Sequence, residues 1–160
     1  IHAMIFRKAE LQDCNAVYSL YRTLAGRPLC TWDAEYPGWL QINEDYESGG
    51  LYVMAQDEGI VGAISIVPEN ELDALPFWQF QNAREIARVA VAPDQQGKGI
   101  GFQMTDAVCH LLKGRGVSAL HLLVSPDNIP AQRIYRRCGF DFLERCQMFG
   151  LEFIACEKPL

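Results

Sequence analysis

Two periods alternate along this chain: one near two residues, the mark of a strand, and one near 3.6, the mark of a helix. Met4 to Ala9 (MIFRKA) predicts a short strand. Leu11, Ala16, Val17, Leu20, Tyr21 and Leu24 then fall on one helical stripe, with Asp13 as cap or first-turn acid and Gly26 as the stop. Arg27 to Pro37 is irregular, and a second short helix follows from about Gly38 to Tyr46, broken by Ser48-Gly49-Gly50. Leu51–Gln56 and Ile60–Val67 read as a strand pair around an Asp57-Glu58-Gly59 turn. Gly62 inside the second strand marks a bulge or a close backbone approach. Pro68 to Asn82 is a long polar and aromatic connection, of the kind that is functional or mobile.

The second half is more regular. Ile86 to Val91 is an apolar run ended by Ala92-Pro93-Asp94, because proline cannot continue a ladder. After Gln96-Gly97-Lys98-Gly99-Ile100-Gly101, the residues Met104, Ala107, Val108, Leu111 and Leu112 recur at helical spacing, and Gly114 and Gly116 end that helix. Ala119 to Val124 is a strand. Asp127 or Asn128 caps a further helix that carries Pro130 in its first turn and stops at Gly139. Phe140–Met148 and Leu151–Lys158 form a terminal hairpin around Phe149-Gly150. The chain shows no internal repeat, low-complexity tract or second-domain boundary.

Composition narrows the class. A chain of 160 residues, 49% of them apolar, is a single globular domain with a substantial core. No apolar run reaches the length of a membrane span, and no leader suggests export. Ile1-His2-Ala3 before Met4 reads as an expression scar, leaving 4–160 as the domain. The six cysteines are scattered without Cys-x-x-Cys or zinc spacing, so no metal is expected and a reducing, cytoplasmic setting fits. A formal net charge of −6 argues against nucleic acid as a partner. It suits a cationic amine but is also ordinary for a soluble protein.

The glycine-rich turn carries the first chemistry. Glycine permits positive φ and close approach of a ligand to the backbone. The first amides of a helix lack internal partners and sit at the positive end of its dipole, which makes an anion site suited to phosphate or pyrophosphate. A Walker A reading fails, because Ala92 stands where its first glycine belongs and Gly99 follows Lys98 in place of Ser or Thr. A dinucleotide fingerprint fails too, since only Ile100 separates Gly99 from Gly101.

Gln96, Gly99 and Gly101 instead satisfy Gln/Arg-x-x-Gly-x-Gly/Ala, and Asn128, Ala131, Tyr135, Gly139 and Phe140 satisfy a second pattern one helix downstream. Together they resemble the GNAT superfamily of acetyl-CoA-dependent N-acetyltransferases, and the order of elements agrees from Met4 onward. The resemblance implies an α/β (α+β) single-domain fold: a central mixed, mostly antiparallel sheet of about seven strands flanked by about four helices. It implies acetyl-CoA as cofactor and transfer of an acetyl group to a primary amine, in a small molecule or a peptide, by direct attack in a ternary complex. Two alternatives remain open: a non-catalytic acyl-CoA-binding sensor or partner module, and an acyltransferase using a longer acyl-CoA. Neither the acceptor nor the choice between monomer and homodimer is set.

The family places the pyrophosphate on the backbone of Gln96, Gly97, Lys98, Gly99, Ile100 and Gly101. It lays the pantetheine arm along the Val89-Ala90-Val91 strand end, with Val89 and Val91 offering main-chain groups. Lys98 reads equally well as a solvated lysine. Asn128 serves the cofactor arm, a helix cap, or both. Arg133, Arg136 and Arg137 read as surface residues, one of which could meet the adenosine phosphate. The family gives Tyr135 the role of protonating the departing sulfur, and a phenol is protonated at neutral pH. The alternative is a tyrosine packed on the core. An alkylammonium must lose a proton before it attacks. Glu85 stands where some members carry a glutamate base, against the reading of an exposed strand-end glutamate, with Glu69 and Glu71 in reserve. His110 and His121 match no catalytic position of the family. No serine or cysteine is placed as an acyl acceptor, and Cys138 is expected to pack. Trp32, Tyr36, Phe77 and Trp78 are candidate pocket walls able to receive a cation, whereas Trp39 reads as sheet cover.

Overall fold

The structure, a computed structural model, describes residues 3–57 and 59–160. Glu58 of the first expected turn, and Ile1 and His2 of the expected scar, lie outside the described residues. The strands are β1 (Met4–Lys8), β2 (Leu51–Gln56), β3 (Gly59–Val67), β4 (Ala83–Val91), β5 (Ala119–Val124), β6 (Asp141–Met148) and β7 (Leu151–Pro159). The helices are α1 (Cys14–Leu24), α2 (Trp39–Glu47), α3 (Ile100–Gly114) and α4 (Ile129–Arg137). One sheet takes all seven strands in the order β1-β2-β3-β4-β5-β7-β6.

Its two faces are covered separately. On one side Ile64, Ile86, Met104, Val108, Leu120 and Tyr135 join sheet to α3 and α4. On the other, Val17, Tyr21, Ile42, Val53 and Ala63 join it to α1 and α2. The stripe predicted for the first helix is its buried face, with Val17, Leu20, Tyr21 and Leu24 inside. Gly62 fills both roles expected of it. The β2–β3 register slips beside it, and a Cβ there would meet Met104 Sδ at 2.9 Å, so α3 lies close on the strand. Phe149 and Gly150 both take positive φ at the β6–β7 turn, the geometry of a tight hairpin.

One junction differs from the rest. Every neighbouring pair is antiparallel except β4–β5, which is parallel and pairs only Ala83 with Ala119, Arg84 with Leu120 and Glu85 with His121. Beyond those residues β4 continues to Val91 and β5 to Val124 without pairing to each other. A register shift against β3, and Arg88 at φ 49°, bend β4 away over this stretch. The sheet therefore opens into a wedge whose walls are the ends of the two strands.

Candidate active site

A cavity of about 950 Å³ fills that wedge. Val89 and Val91 line one wall, Leu123 and Val124 the other, and the turn before α3 closes one end. Ala90, which alternates away from the wedge, is buried in the core under α1 and does not line the cavity.

The turn is built to present nitrogen. Gly97 and Gly99 adopt φ of 79° and 84°, and no atom lies within 4 Å of where a Cβ would stand on either. A side chain there would strain the backbone and fill the approach. Gln103 N is the first helical donor, reaching Gly99 O at 2.9 Å. Among the described residues no acceptor is found for the backbone N–H groups from Gly97 to Phe102. That is a cluster of donors at the positive end of a fifteen-residue helix. Gly101 differs from the other two. Its missing side chain makes room for Ile134 Cδ1, 3.0 Å from the Cβ position, and so lets α4 pack on α3. The Gln96 side chain donates to Val91 O at 3.1 Å and ties the turn to the strand end. Gly97, Gly99, Ile100 and Gly101 line the cavity with Gln96, while Lys98 does not and reaches only Gln95. These open amides and unfilled glycine positions fit a diphosphate on an extended ligand.

At the far side, α4 is held by its own cap. Asn128 Oδ1 accepts from Ala131 N at 3.1 Å, and Gln132 Nε2 donates to the carbonyls of Ser125 and Pro126. Asn128 lines the cavity as well, so capping leaves its Nδ2 available there. Arg133 and Arg137 are exposed, as surface residues are, and also border the cavity. Arg137 stacks over Phe102, whereas Arg136 turns away over Phe142. Tyr135 lines the cavity and is only 8% exposed, its ring edge-on to Phe140. Burial pushes its pKa above the usual phenol value, so Oη keeps its proton at neutral pH. Cys138 is buried and pushed up to about 12 by burial, which supports packing over chemistry. Cys30 lies in the cavity wall, a placement nothing in the sequence signalled.

Glu85 lines the same cavity at the last paired residue before the wedge opens. Burial raises its pKa to about 7, against a hydrogen bond from Asn70 Nδ2 to Oε1 of 2.9 Å and the charge of Arg88, both of which lower it. The reserve acids Glu69 and Glu71 are exposed and do not line the cavity.

Arg88 was hidden in an apolar run, and the bend turns it onto the α2 side. Its Nε and Nη2 donate to the two oxygens of Asp45 at 2.8 Å each, Nη1 donates to Tyr36 Oη at 3.2 Å, and Ser65 Oγ donates to Asp45 at 2.6 Å. Burial opposes the Arg88 charge, but Asp45 more than offsets this and leaves its pKa raised. Trp32 and Tyr36 line the cavity. Phe77 and Trp78 do not. Trp78 lies flat on His121 with ring centres 3.8 Å apart, and Phe77 packs on Trp78. The opposite lip comes from the hairpin tip, where Phe149, Leu151 and Phe153 face the cavity. Among the described residues no group of three or more His, Cys, Asp and Glu could hold a metal, and no helix is long and apolar enough to cross a membrane.

Fold and cavity define the class: a mixed-sheet α/β domain with an open cavity between two splayed parallel strands. A model of the acetyltransferase (GNAT) family matches residues 14–140, and the chain belongs to that family, whose acetyl donor is acetyl-CoA. A mycothiol acetyltransferase of Rhodococcus opacus (strain B4) is 44% identical over 57 residues, 36% of this chain and 19% of that protein. One from Rhodococcus erythropolis is 29% identical over 124 residues, 69% of this chain and 39% of that protein. The chain thus spans well under half the length of these curated relatives. Among solved structures, a GCN5-related N-acetyltransferase from Kribbella flavida superposes with a TM-score of 0.79 at 18% identity, covering 99% of this chain and 98% of that one. The yncA protein of Salmonella typhimurium, solved with its cofactor acetyl-CoA, gives 0.77 at 21% identity over 98% and 94%. At these identities the likeness concerns the fold.

Proposed function

We propose that this protein is an N-acetyltransferase that moves the acetyl group of acetyl-CoA onto a primary amine, of a small molecule or a peptide, by direct attack in a ternary complex. The observation that carries this is the meeting of three features in one cavity: the free amides before α3, the Glu85 carboxylate and the buried Tyr135 hydroxyl. The main chain from Gly97 to Gly101 would hold the diphosphate, Val89 and Val91 the pantetheine arm, and Asn128 Nδ2 would add a donor beside them. Bound acetyl-CoA supplies an acetyl group already activated as a thioester. Glu85, directly or through one water, takes the proton that an ammonium must lose; a pKa near the working pH suits a general base. Tyr135 keeps a proton on Oη at the other side of the cavity, available to the sulfur that must leave protonated. Trp32 and Tyr36 form the acceptor wall, aromatic residues of the kind that attract a cationic amine.

The test follows free thiol released from acetyl-CoA across a panel of polyamines, amino acids, aminoglycosides and short peptides, for the wild type and Tyr135→Phe. At least one class of amine should accelerate release. Tyr135→Phe should lower turnover by about 10²–10⁴-fold, the usual range for a lost acid or base, and leave CoA affinity nearly unchanged. Silence across the panel alongside tight CoA binding would identify a binding module instead.

A further inference from the structure

The segment between β3 and β4 closes over a buried acid–base group that the reaction outlined above leaves unused. His121 and Glu157 are each 2% exposed, and His121 Nε2 lies 2.7 Å from Glu157 Oε2. They occupy a single row. Glu85 pairs with His121 across β4–β5, and His121 pairs with Glu157 across β5–β7. Residues 68–82 lie across this row and are fastened at both ends. At one end the Glu157 carboxylate accepts from the backbone N–H groups of Gln79 and Phe80 at 3.1–3.2 Å. Trp78 stacks on His121, and its Nε1 donates to Leu72 O at 2.8 Å. Leu72 N donates to Asn70 Oδ1 at 2.8 Å. At the other end Asn70 Nδ2 donates to Glu85 Oε1. The chain of contacts runs unbroken from Glu157 to the candidate base.

Burying two ionisable groups is costly unless both are paired, and a surface connection could be held more cheaply by apolar contact. The pair gives the strap a directional anchor instead of a greasy one.

We propose that His121, Glu157 and Trp78 are positioning residues. They clamp the 70–80 strap so that it shields Glu85 from water and keeps Asn70 on its carboxylate, and they thereby set the pH at which Glu85 gives up its proton. This rests on Glu85 being the base only for its catalytic consequence. The charged groups acting on Glu85 are Arg88 on its own strand, Asp45 from α2 and Asp73 from the strap, and the titratable His121 stands beside it on β5. Asp73 Oδ1 also faces His121 Nδ1, at 3.8 Å, and that nitrogen is buried without a hydrogen-bond partner among the described residues.

The two ends of the strap predict shifts of opposite sign. Loosening it at Trp78 restores water to Glu85 and removes Asp73. Both changes lower its pKa and outweigh loss of the Asn70 bond, because burial is the largest contribution. Asn70→Ala removes the bond that favours the carboxylate together with the local contacts to Leu72 N and Pro68 O, while Trp78 and Glu157 still hold the strap over Glu85, so the pKa rises. The experiment is a ¹³C-NMR titration of the Glu85 side-chain carboxyl carbon in the full chain, assigned by its absence in Glu85→Gln. Trp78→Ala should move the midpoint down by about a unit or more, within the range burial produces. Trp78→Phe, which keeps the stacking plane, should recover part of the shift, and Asn70→Ala should move it up. If Trp78→Ala does not fold, Trp78→Leu keeps the apolar volume without ring plane or Nε1 and takes its place. An unchanged midpoint in the Trp78 variants, or shifts of one sign throughout, overturns the proposal. The acid limb of kcat/KM should move with the NMR midpoint. If NMR shifts while the rate profile stays put, the clamp stands and Glu85 is not the base.

Discussion

A carboxyl held near pH 7 inside a fold is a thermodynamic liability as well as a tool. Burial raises the Glu85 pKa from 4.5 to about 7 in the folded state. Below the unfolded value both states hold the proton and its favourable contribution is fully present. As pH climbs through the folded value that contribution is lost, because the native state must then bury a charge. Glu85→Gln removes the charge and keeps the shape. It should leave stability unchanged below about pH 4.5 and stabilise the protein above pH 7, by roughly 3 kcal/mol at most, as read from denaturant midpoints at several pH values. A stabilisation independent of pH would mean that the side chain is not buried as described. The same substitution should slow transfer, which is the exchange of stability for activity expected where a working group sits in a strained setting.

Among elements, the turn before α3 does most with least. If its main-chain nitrogens hold the diphosphate, as proposed, only substitutions that fill space or reverse charge should matter. CoA at a hundred times its Kd stabilises a single-site protein by about 2.7 kcal/mol, which raises Tm by roughly 5–10 °C in a domain of this size. Gly99→Asp puts a carboxylate into the open space beside those amides and strains a φ of 84°. It should abolish that rise while lowering the Tm of the free protein by far less. An equal rise in the variant would remove the turn from the binding site. The shape of this turn was legible because glycine spacing is a backbone signal. The strap was not. Phe77 and Trp78 looked like pocket walls because aromatic residues in a long connection suit a pocket, and nothing local reveals that Trp78 finds its partner on β5.

For the molecule as a whole, periodicity sufficed where burial on one face decides the outcome. All seven strands and four helices fall where the pattern puts them, with β4 beginning earlier, at Ala83, than the apolar run alone suggests. Long-range pairing of ionisable groups was the part sequence could not supply. Arg88 with Asp45, and His121 with Glu157, are separated by 43 and 36 positions. Arg88 interrupts the apolar run 86–91 and His121 an otherwise apolar strand, which is the one hint available, but the partner of each is a product of topology. Topology also leaves the sheet with a single weak fastening, since the four strands β1 to β4 and the three strands β5 to β7 are joined through three residue pairs. A guest lying along that seam supplies the rungs the protein omits, so loading and stiffening become one event. Amide hydrogens from 86 to 91 and from 122 to 124 should exchange more slowly once CoA is bound, as though the sheet had gained a strand it does not encode.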